Sequence, residues 1–131
     1  MSLQSFINSY IECALWASSH CDEDGNEIAF MDEYDCTFSP ELMAETVKDC
    51  TAFYEAHKHL WADEPHYRHN ECDSDEMAGR DFWLTRNGHG VGFWDRDLRH
   101  GDELTALCKV FGEVSLYLEL EDDGKTATVY G

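Results

Sequence analysis

The chain has 131 residues, of which 43% are hydrophobic and 13% aromatic, enough to build the core of one domain over 1–131. Twenty-eight Asp and Glu against nine Lys and Arg give a net charge of −19. A field of this sign repels nucleic acid and anionic membranes, and the aromatic content excludes a disordered acidic tail. We find no signal peptide and no apolar run near the roughly 20 residues of a membrane span, so we expect a cytoplasmic protein.

Two amphipathic helices are predicted in the first half of the chain. Apolar residues recur at helical spacing over 3–18, with Ser2 as N-cap, and over 40–61, where Ser39 precedes Pro40. The inner face of the second helix is predicted to be Leu42, Met43, Thr46, Val47, Cys50, Phe53, Tyr54, His57 and Leu60 or Trp61. The connector over 20–38 contains a turn, and five apolar residues are expected to attach it to the core: Ile28, Phe30, Met31, Tyr34 and Phe38.

Residues 62–78 are predicted to be a loop, or a short acidic helix in their later half, and two hairpins are predicted beyond them. Asn87-Gly88 is typical of a two-residue turn, so we expect strands over 80–96 with Arg80 and Asp95 as a cross-strand ion pair. A short helix over 102–111, capped by Asp102, leads to a second hairpin over 114–130. Its predicted cross-strand neighbours are Tyr117 with Tyr130, Leu118 with Val129, and Leu120 with Ala127.

These elements indicate an α+β fold. Two N-terminal helices, within 1–77, are expected to pack on a β-β-α-β-β antiparallel sheet unit formed by 78–131. The six cysteines contain no CxxC pair, and without an export signal we expect reduced thiols. Cys13, Cys50 and Cys108 lie among apolar residues at helical spacing, so they are predicted to be small core residues.

The segment over 78–96 has the sequence AGRDFWLTRNGHGVGFWDR. It resembles a motif of small tailed-bacteriophage proteins that have no assigned activity. The resemblance extends to Ala14-Leu15-Trp16 upstream and to residues 104–117 downstream, is loosest over 20–38 and 62–77, and departs in the His-rich, acidic stretch over 57–76. It implies a phage or prophage origin and expression in the bacterial cytoplasm, and it carries over no catalytic residues.

Two clusters of acidic residues are the strongest functional signal. The first has seven members and no base between them: Asp22, Glu23, Asp24, Glu27, Asp32, Glu33 and Asp35. The second contains Asp63, Glu64, Asp73, Asp75 and Glu76. Carboxylates displayed along one face of a rigid domain can occupy a basic cleft made for a phosphate backbone. The plainer interpretation is that this acidity serves solubility.

Two further kinds of site are conceivable from the residue types. His57, His59, His66, His69 and Cys72 place five zinc-type ligands within sixteen residues, although no standard finger spacing is met. Scattered surface histidines explain the same pattern. The polar residues of the predicted hairpin tip, Arg86, Asn87, His89, Asp95 and Arg96, could hold an anion or serve acid–base chemistry, although the turn and a cross-strand pair explain them equally.

The sequence therefore favours a non-enzymatic binding protein. The function expected is a phage-encoded inhibitor, possessing no cofactor, that binds the basic surface of a host nucleic-acid-binding defence protein, such as a CRISPR effector or a restriction enzyme. It would mimic nucleic acid and not bind it. The alternatives are a small zinc-binding structural protein and an enzyme that uses the hairpin tip.

Overall fold

The structure is a computed structural model that describes residues 2–64, 67 and 73–131. These residues form an α+β fold, as predicted. The helices are α1 (Leu3–Ala17), α2 (Pro40–His57), α3 (Ser74–Arg86) and α4 (Gly101–Lys109), and the strands are β1 (Ser19–Cys21), β2 (Glu27–Phe30), β3 (Asp35–Phe38), β4 (Tyr117–Leu120) and β5 (Thr126–Tyr130). Short 3₁₀ turns occur at Met31–Glu33, Lys58–Leu60 and Phe93–Asp95.

The core is a cluster of stacked aromatic rings around α3. Phe82 of α3 lies parallel to Phe53 of α2 at 4.3 Å between ring centroids, and Phe6 of α1 stacks on Trp61 at 5.7 Å. Helices α1 and α3 pack together most extensively. Their backbones approach closely at Gly79, where any Cβ would collide with the carbonyl oxygen of Phe6. A glycine in mid-helix therefore brings the two helices into contact.

The predicted hairpin over 80–96 is wrong, because residues 74–86 form α3. Asn87 is the C-cap of this helix, and Gly88 follows with φ 70°. The Gly88 N–H donates to Thr85 O, and the His89 N–H donates to Leu84 O, which is the hydrogen-bonding pattern of a glycine-terminated helix. A helix C-cap and a two-residue hairpin turn both need a residue at positive φ, so Asn-Gly serves either.

The sheet has three strands in the order β3-β5-β4. The β4–β5 hairpin has the predicted register, with Leu118 opposite Val129 and Leu120 opposite Ala127. The other half of the predicted antiparallel unit is absent from the described residues. Instead, β3 from the connector pairs in parallel with β5, and β1 and β2 form a separate two-stranded hairpin.

The remaining helices begin and end close to their predicted bounds. Ser2 and Ser39 cap α1 and α2 as predicted, each accepting a backbone N–H bond through its hydroxyl. Asp102 does not cap α4, because that helix begins one residue earlier, after His100. Met43 and Val47, predicted on the inner face of α2, are exposed. No helix within 2–64 and 73–131 is long and apolar enough to cross a membrane.

Candidate partner-binding surface

The first acidic cluster lies on the β1–β2 hairpin and the chain that leads from it to β3. Asp22 shapes the turn of this hairpin, since its Oδ1 accepts the N–H groups of Asp24 and Asn26, each at 2.9 Å. These bonds hold the pKa of Asp22 below its usual value, and the bond from the Asn26 N–H has the largest effect. Gly25 completes the turn with φ 83°. Polar residues that terminate the strands therefore also place carboxylates at the hairpin tip.

All seven carboxylates of this cluster are exposed to solvent: Asp22, Glu23, Asp24, Glu27, Asp32, Glu33 and Asp35. Over the described part of the chain, the ion pairs join Arg86 to Asp49, Arg96 to Asp81, Arg99 to Glu64 and His100 to Glu103. None of these involves the cluster. Its negative charge is therefore displayed without a neutralising partner among those residues.

Large apolar side chains are exposed within the same segment. Met31 and Phe38 are buried and Tyr34 is half-buried, as predicted, but Ile28 is 56% exposed and Phe30 48% exposed. The two alternate with Ala29 along β2, so they share one face of the hairpin. Strands β1 and β2 form a two-stranded sheet that is separate from the sheet of β3, β4 and β5. The prediction that Ile28 and Phe30 join the core is wrong.

Trp16, in the last turn of α1, is also exposed, at 63%. A hollow of about 730 Å³ lies beside it, lined on one side by Glu12 and Trp16 and on another by Asp32 and Asp35. Arg80 of α3 and Val91 also line this hollow. The geometry thus joins acids of the first cluster to an exposed aromatic ring in one concave surface.

The second acidic cluster is largely used to hold the fold together. Glu64 is buried, and its Oε1 accepts the backbone N–H of Arg99 at 3.0 Å and its Nε–H at 3.1 Å. Asp75 is also buried and accepts hydrogen bonds from the Tyr54 hydroxyl and the Trp61 indole. Burial and the bond to Asp75 raise the pKa of Tyr54 to about 12, so this hydroxyl stays a donor.

Only part of that cluster remains available to a partner. Asp73 caps α3 by accepting the Glu76 N–H at 2.9 Å, and both residues are half-buried, whereas Asp63 is exposed. The prediction of a continuous second patch fails for Glu64 and Asp75 because they balance polar groups inside the protein. A run of acids in the sequence carries no sign of which members will find internal donors.

The predicted metal ligands divide between two parts of the chain. His66, His69 and Cys72 lie outside the described residues. His59 is exposed, and His57 is half-buried with its ring edge-on to Phe53 at 5.1 Å. Burial and, to a smaller extent, the nearby His59 lower the pKa of His57. Its imidazole is therefore neutral at pH 7, which is the form that binds a metal ion. Within the described residues, no three His, Cys, Asp or Glu side chains are grouped to hold a metal ion.

Two residues of the predicted hairpin tip, Arg86 and Arg96, form ion pairs within the fold. Arg86 is buried and bonded to Asp49, to the Tyr10 hydroxyl and to the carbonyls of Phe111 and Gly112. The predicted Arg80–Asp95 pair does not form. In its place Arg96 binds Asp81, a fully buried carboxylate that also accepts a bond from the Tyr67 hydroxyl.

Asn87 is likewise occupied, donating to Trp83 O and accepting the Val114 N–H at 2.8 Å. Arg86, Asn87 and Arg96 therefore form hydrogen bonds within the fold and do not lie together at a hairpin tip.

A second concave region lies between α2, the C-terminal end of α3 and the chain over 111–117, with a volume of about 660 Å³. The residues that line it include Leu42, Trp83 and Leu116 and carboxylates of α2. No local pattern in the sequence indicates this cleft, because its walls come from segments far apart in the chain.

Comparison of the chain with protein-family models, with curated proteins and with solved structures finds no match.

Proposed function

We propose that this chain is a non-catalytic binding protein that occupies the cationic surface of a partner protein. The binding surface consists of the first acidic cluster together with Trp16, Ile28 and Phe30, and it is called the hairpin surface below. The observation that carries this proposal is the exposure of seven carboxylates, without ion-pair partners among the described residues, together with the exposure of three large apolar side chains.

The two components of the hairpin surface contribute differently to binding. Exposed carboxylates are each worth little, about 0–1 kcal/mol, but many of one sign accelerate association with a cationic partner and exclude anionic ones. Exposed aromatic and aliphatic side chains supply affinity, because their burial on binding removes apolar surface from water. An interface needs both, and solubility alone would not require Trp16, Ile28 and Phe30 to lie among the acids.

The partner class follows from the sign of the charge. Proteins that bind a phosphate backbone have Lys and Arg clustered in one cleft. A rigid surface of carboxylates is complementary in charge to such a cleft. We propose that the target is a host defence protein of this kind, such as a CRISPR effector or a restriction enzyme. The resemblance of residues 78–96 to tailed-phage proteins supports a phage inhibitor over a host regulator.

The test is capture from a bacterial host lysate on the immobilised chain. The expected result is a nucleic-acid-binding protein that is retained at low salt, released at high salt and displaced by duplex DNA, because screening and a competing polyanion both weaken the contact. Added chain should also inhibit the nuclease activity of that protein. Retention that is indifferent to both salt and DNA would overturn the proposal.

A further inference from the structure

The cleft between α2, α3 and residues 111–117 has a shape and chemistry that the hairpin surface lacks. Its volume of about 660 Å³ lies within the range of roughly 300–1,000 Å³ that is usual for ligand sites. Leu42, Val114 and Leu116 give it apolar walls, and Trp83 contributes an indole ring. None of these residues belongs to the hairpin surface, so a ligand in the cleft would bind at a site separate from that surface.

Carboxylates dominate the charge of this cleft. Glu41 and Glu45 are one helical turn apart on α2, so they project from the same side of the helix, and Glu113 stands on the segment beyond α4. All three are exposed and form no ion pair within the described part of the chain. Asp49 also lines the cleft, but Arg86 neutralises it at 3.1 Å.

The single base that lines the cleft, among the described residues, is already engaged. Arg86 directs its Nε–H and Nη2–H to the carbonyls of Gly112 and Phe111, and Nη1 to Tyr10 and Asp49. It therefore has little capacity to bind an incoming anion. The surplus of Glu41, Glu45 and Glu113 favours a cationic ligand instead.

Trp83 gives a second and independent sign of a ligand. Its side chain lines the cleft, is only 3% exposed, and has an indole N–H without a hydrogen-bond acceptor among the described residues. A buried donor in this state has a free-energy cost and is uncommon in native proteins. A ligand that brings an acceptor oxygen would remove this cost.

We propose that the cleft binds a basic peptide segment of a partner protein. A backbone carbonyl of the peptide accepts the Trp83 indole N–H, and an Arg or Lys side chain is held between Glu41, Glu45 and Glu113. The aliphatic stem of that side chain packs on Leu42 and Leu116, since long basic residues bury their methylenes while the charge stays polar. The Trp83 indole N–H lacks an acceptor and the three glutamates attract a positive charge. A basic peptide supplies both an acceptor oxygen and a cation, whereas an inorganic cation supplies only the charge.

The test uses two blocked peptides that differ only in charge. The first is acetyl-Arg-Leu-Arg-amide, and the second carries citrulline, which is neutral and has nearly the same shape, in place of both arginines. Binding is followed by the nitrogen–proton resonance of the Trp83 indole in the full chain, assigned through bonds. We expect the arginine peptide to shift this resonance saturably and the citrulline peptide to bind at least about tenfold more weakly, as the loss of charge pairing requires.

Variants of α2 test whether affinity for the peptide depends on the carboxylates of the cleft or only on the net negative charge of the protein. The double substitution Glu41→Gln with Glu45→Gln should weaken the arginine peptide by about tenfold, whereas Glu55→Gln, an exposed position of α2 outside the cleft, should leave its affinity unchanged. If the Trp83 resonance does not move at saturation, or if Glu55→Gln weakens binding as much as the double substitution, the cleft is not the site.

The same titration distinguishes failure of this inference from failure of the proposed function. A variant of the hairpin surface, with Glu23→Gln, Asp24→Asn, Asp32→Asn and Asp35→Asn, should bind the arginine peptide like the unchanged chain, because none of these positions lines the cleft. Loss of the Trp83 shift in this variant would contradict a distinct peptide site. The host partner of the hairpin surface plays no part in this experiment.

Discussion

Arg86 lies inside the protein, where its guanidinium is held from four directions. The rings of Phe82 and Phe111 lie 5.3 and 5.7 Å from it, and its hydrogen bonds join α1, α2 and the chain after α4 through Tyr10, Asp49 and Phe111. The sequence marked Arg86 as a functional candidate because an Arg beside Asn-Gly was expected at a hairpin tip. Its actual role depends on partners 25 or more residues away in the chain, which no local pattern encodes.

Replacing Arg86 by Met should destabilise the protein strongly. The substitution keeps the buried volume but leaves Asp49 and two carbonyl oxygens without their donor, and the breaking of a buried pair costs about 3–5 kcal/mol. Urea unfolding measures the loss. Lys48→Met, at an exposed position of α2, is the matched control and should change stability by less than about 0.5 kcal/mol. Equal stabilities for the two variants would contradict the structural role of Arg86.

The cysteines should differ sharply in reactivity. Burial raises the pKa of Cys13 to about 12 and raises those of Cys50 and Cys108 further, so these thiols are both shielded and protonated at pH 8. Cys21 is exposed. Alkylation followed by peptide mapping should label Cys21 promptly and the three buried residues only after denaturation. Prompt labelling of Cys50 in the native protein would show that this part of the core is open.

Helix α3 shows what a sequence pattern can miss at the scale of one element. It is buried on nearly every side, including Asp81, Thr85 and Arg86, so it lacks the one-sided apolar stripe that identifies a helix. The short apolar run Phe82-Trp83-Leu84 before Asn-Gly fits a central strand equally well. The β4–β5 hairpin was predictable because its strands are adjacent in sequence, whereas the parallel pairing of β3 with β5 joins segments about ninety residues apart.

The contact of α1 with α3 predicts an unusual response to alanine. Gly79→Ala should destabilise the protein by about 1–3 kcal/mol, although alanine favours helix, because its methyl group would collide with the Phe6 carbonyl. Gly90→Ala is the matched control, since it has open space and no positive φ, and it should be neutral or stabilising by up to about 1 kcal/mol. Thermal or urea unfolding would decide. A stabilising Gly79→Ala would mean that the two helices do not pack as closely as described.

At the scale of the whole molecule, the distribution of bases matters more than their number. Arg86, Arg96 and Arg99 are committed to Asp49, Asp81 and Glu64, so at most six of the nine bases are left to balance the other 25 acids. The first acidic cluster was predictable because charged turn residues stay in solvent. The exposure of Ile28 and Phe30 was not predictable, because it depends on which residues the folded chain brings next to β2.

Salt should therefore act in opposite directions on folding and on binding. A net charge of −19 repels itself more in the compact state than in the unfolded chain, so screening should raise the free energy of unfolding. Urea midpoints measured at increasing sodium chloride test this expectation. A midpoint that falls with salt would indicate that attractive pairs, rather than repulsion, govern the surface.

The most direct test of the hairpin surface is the salt dependence of affinity for the captured partner. The variant with Glu23→Gln, Asp24→Asn, Asp32→Asn and Asp35→Asn should bind more weakly, and its affinity should fall less steeply with salt than that of the unchanged chain. Its matched control neutralises one Glu and three Asp elsewhere on the exposed surface: Glu55, Asp97, Asp102 and Asp122. The control is expected to keep both the affinity and most of the salt dependence. Equal losses in the two variants would contradict a localised acidic binding surface.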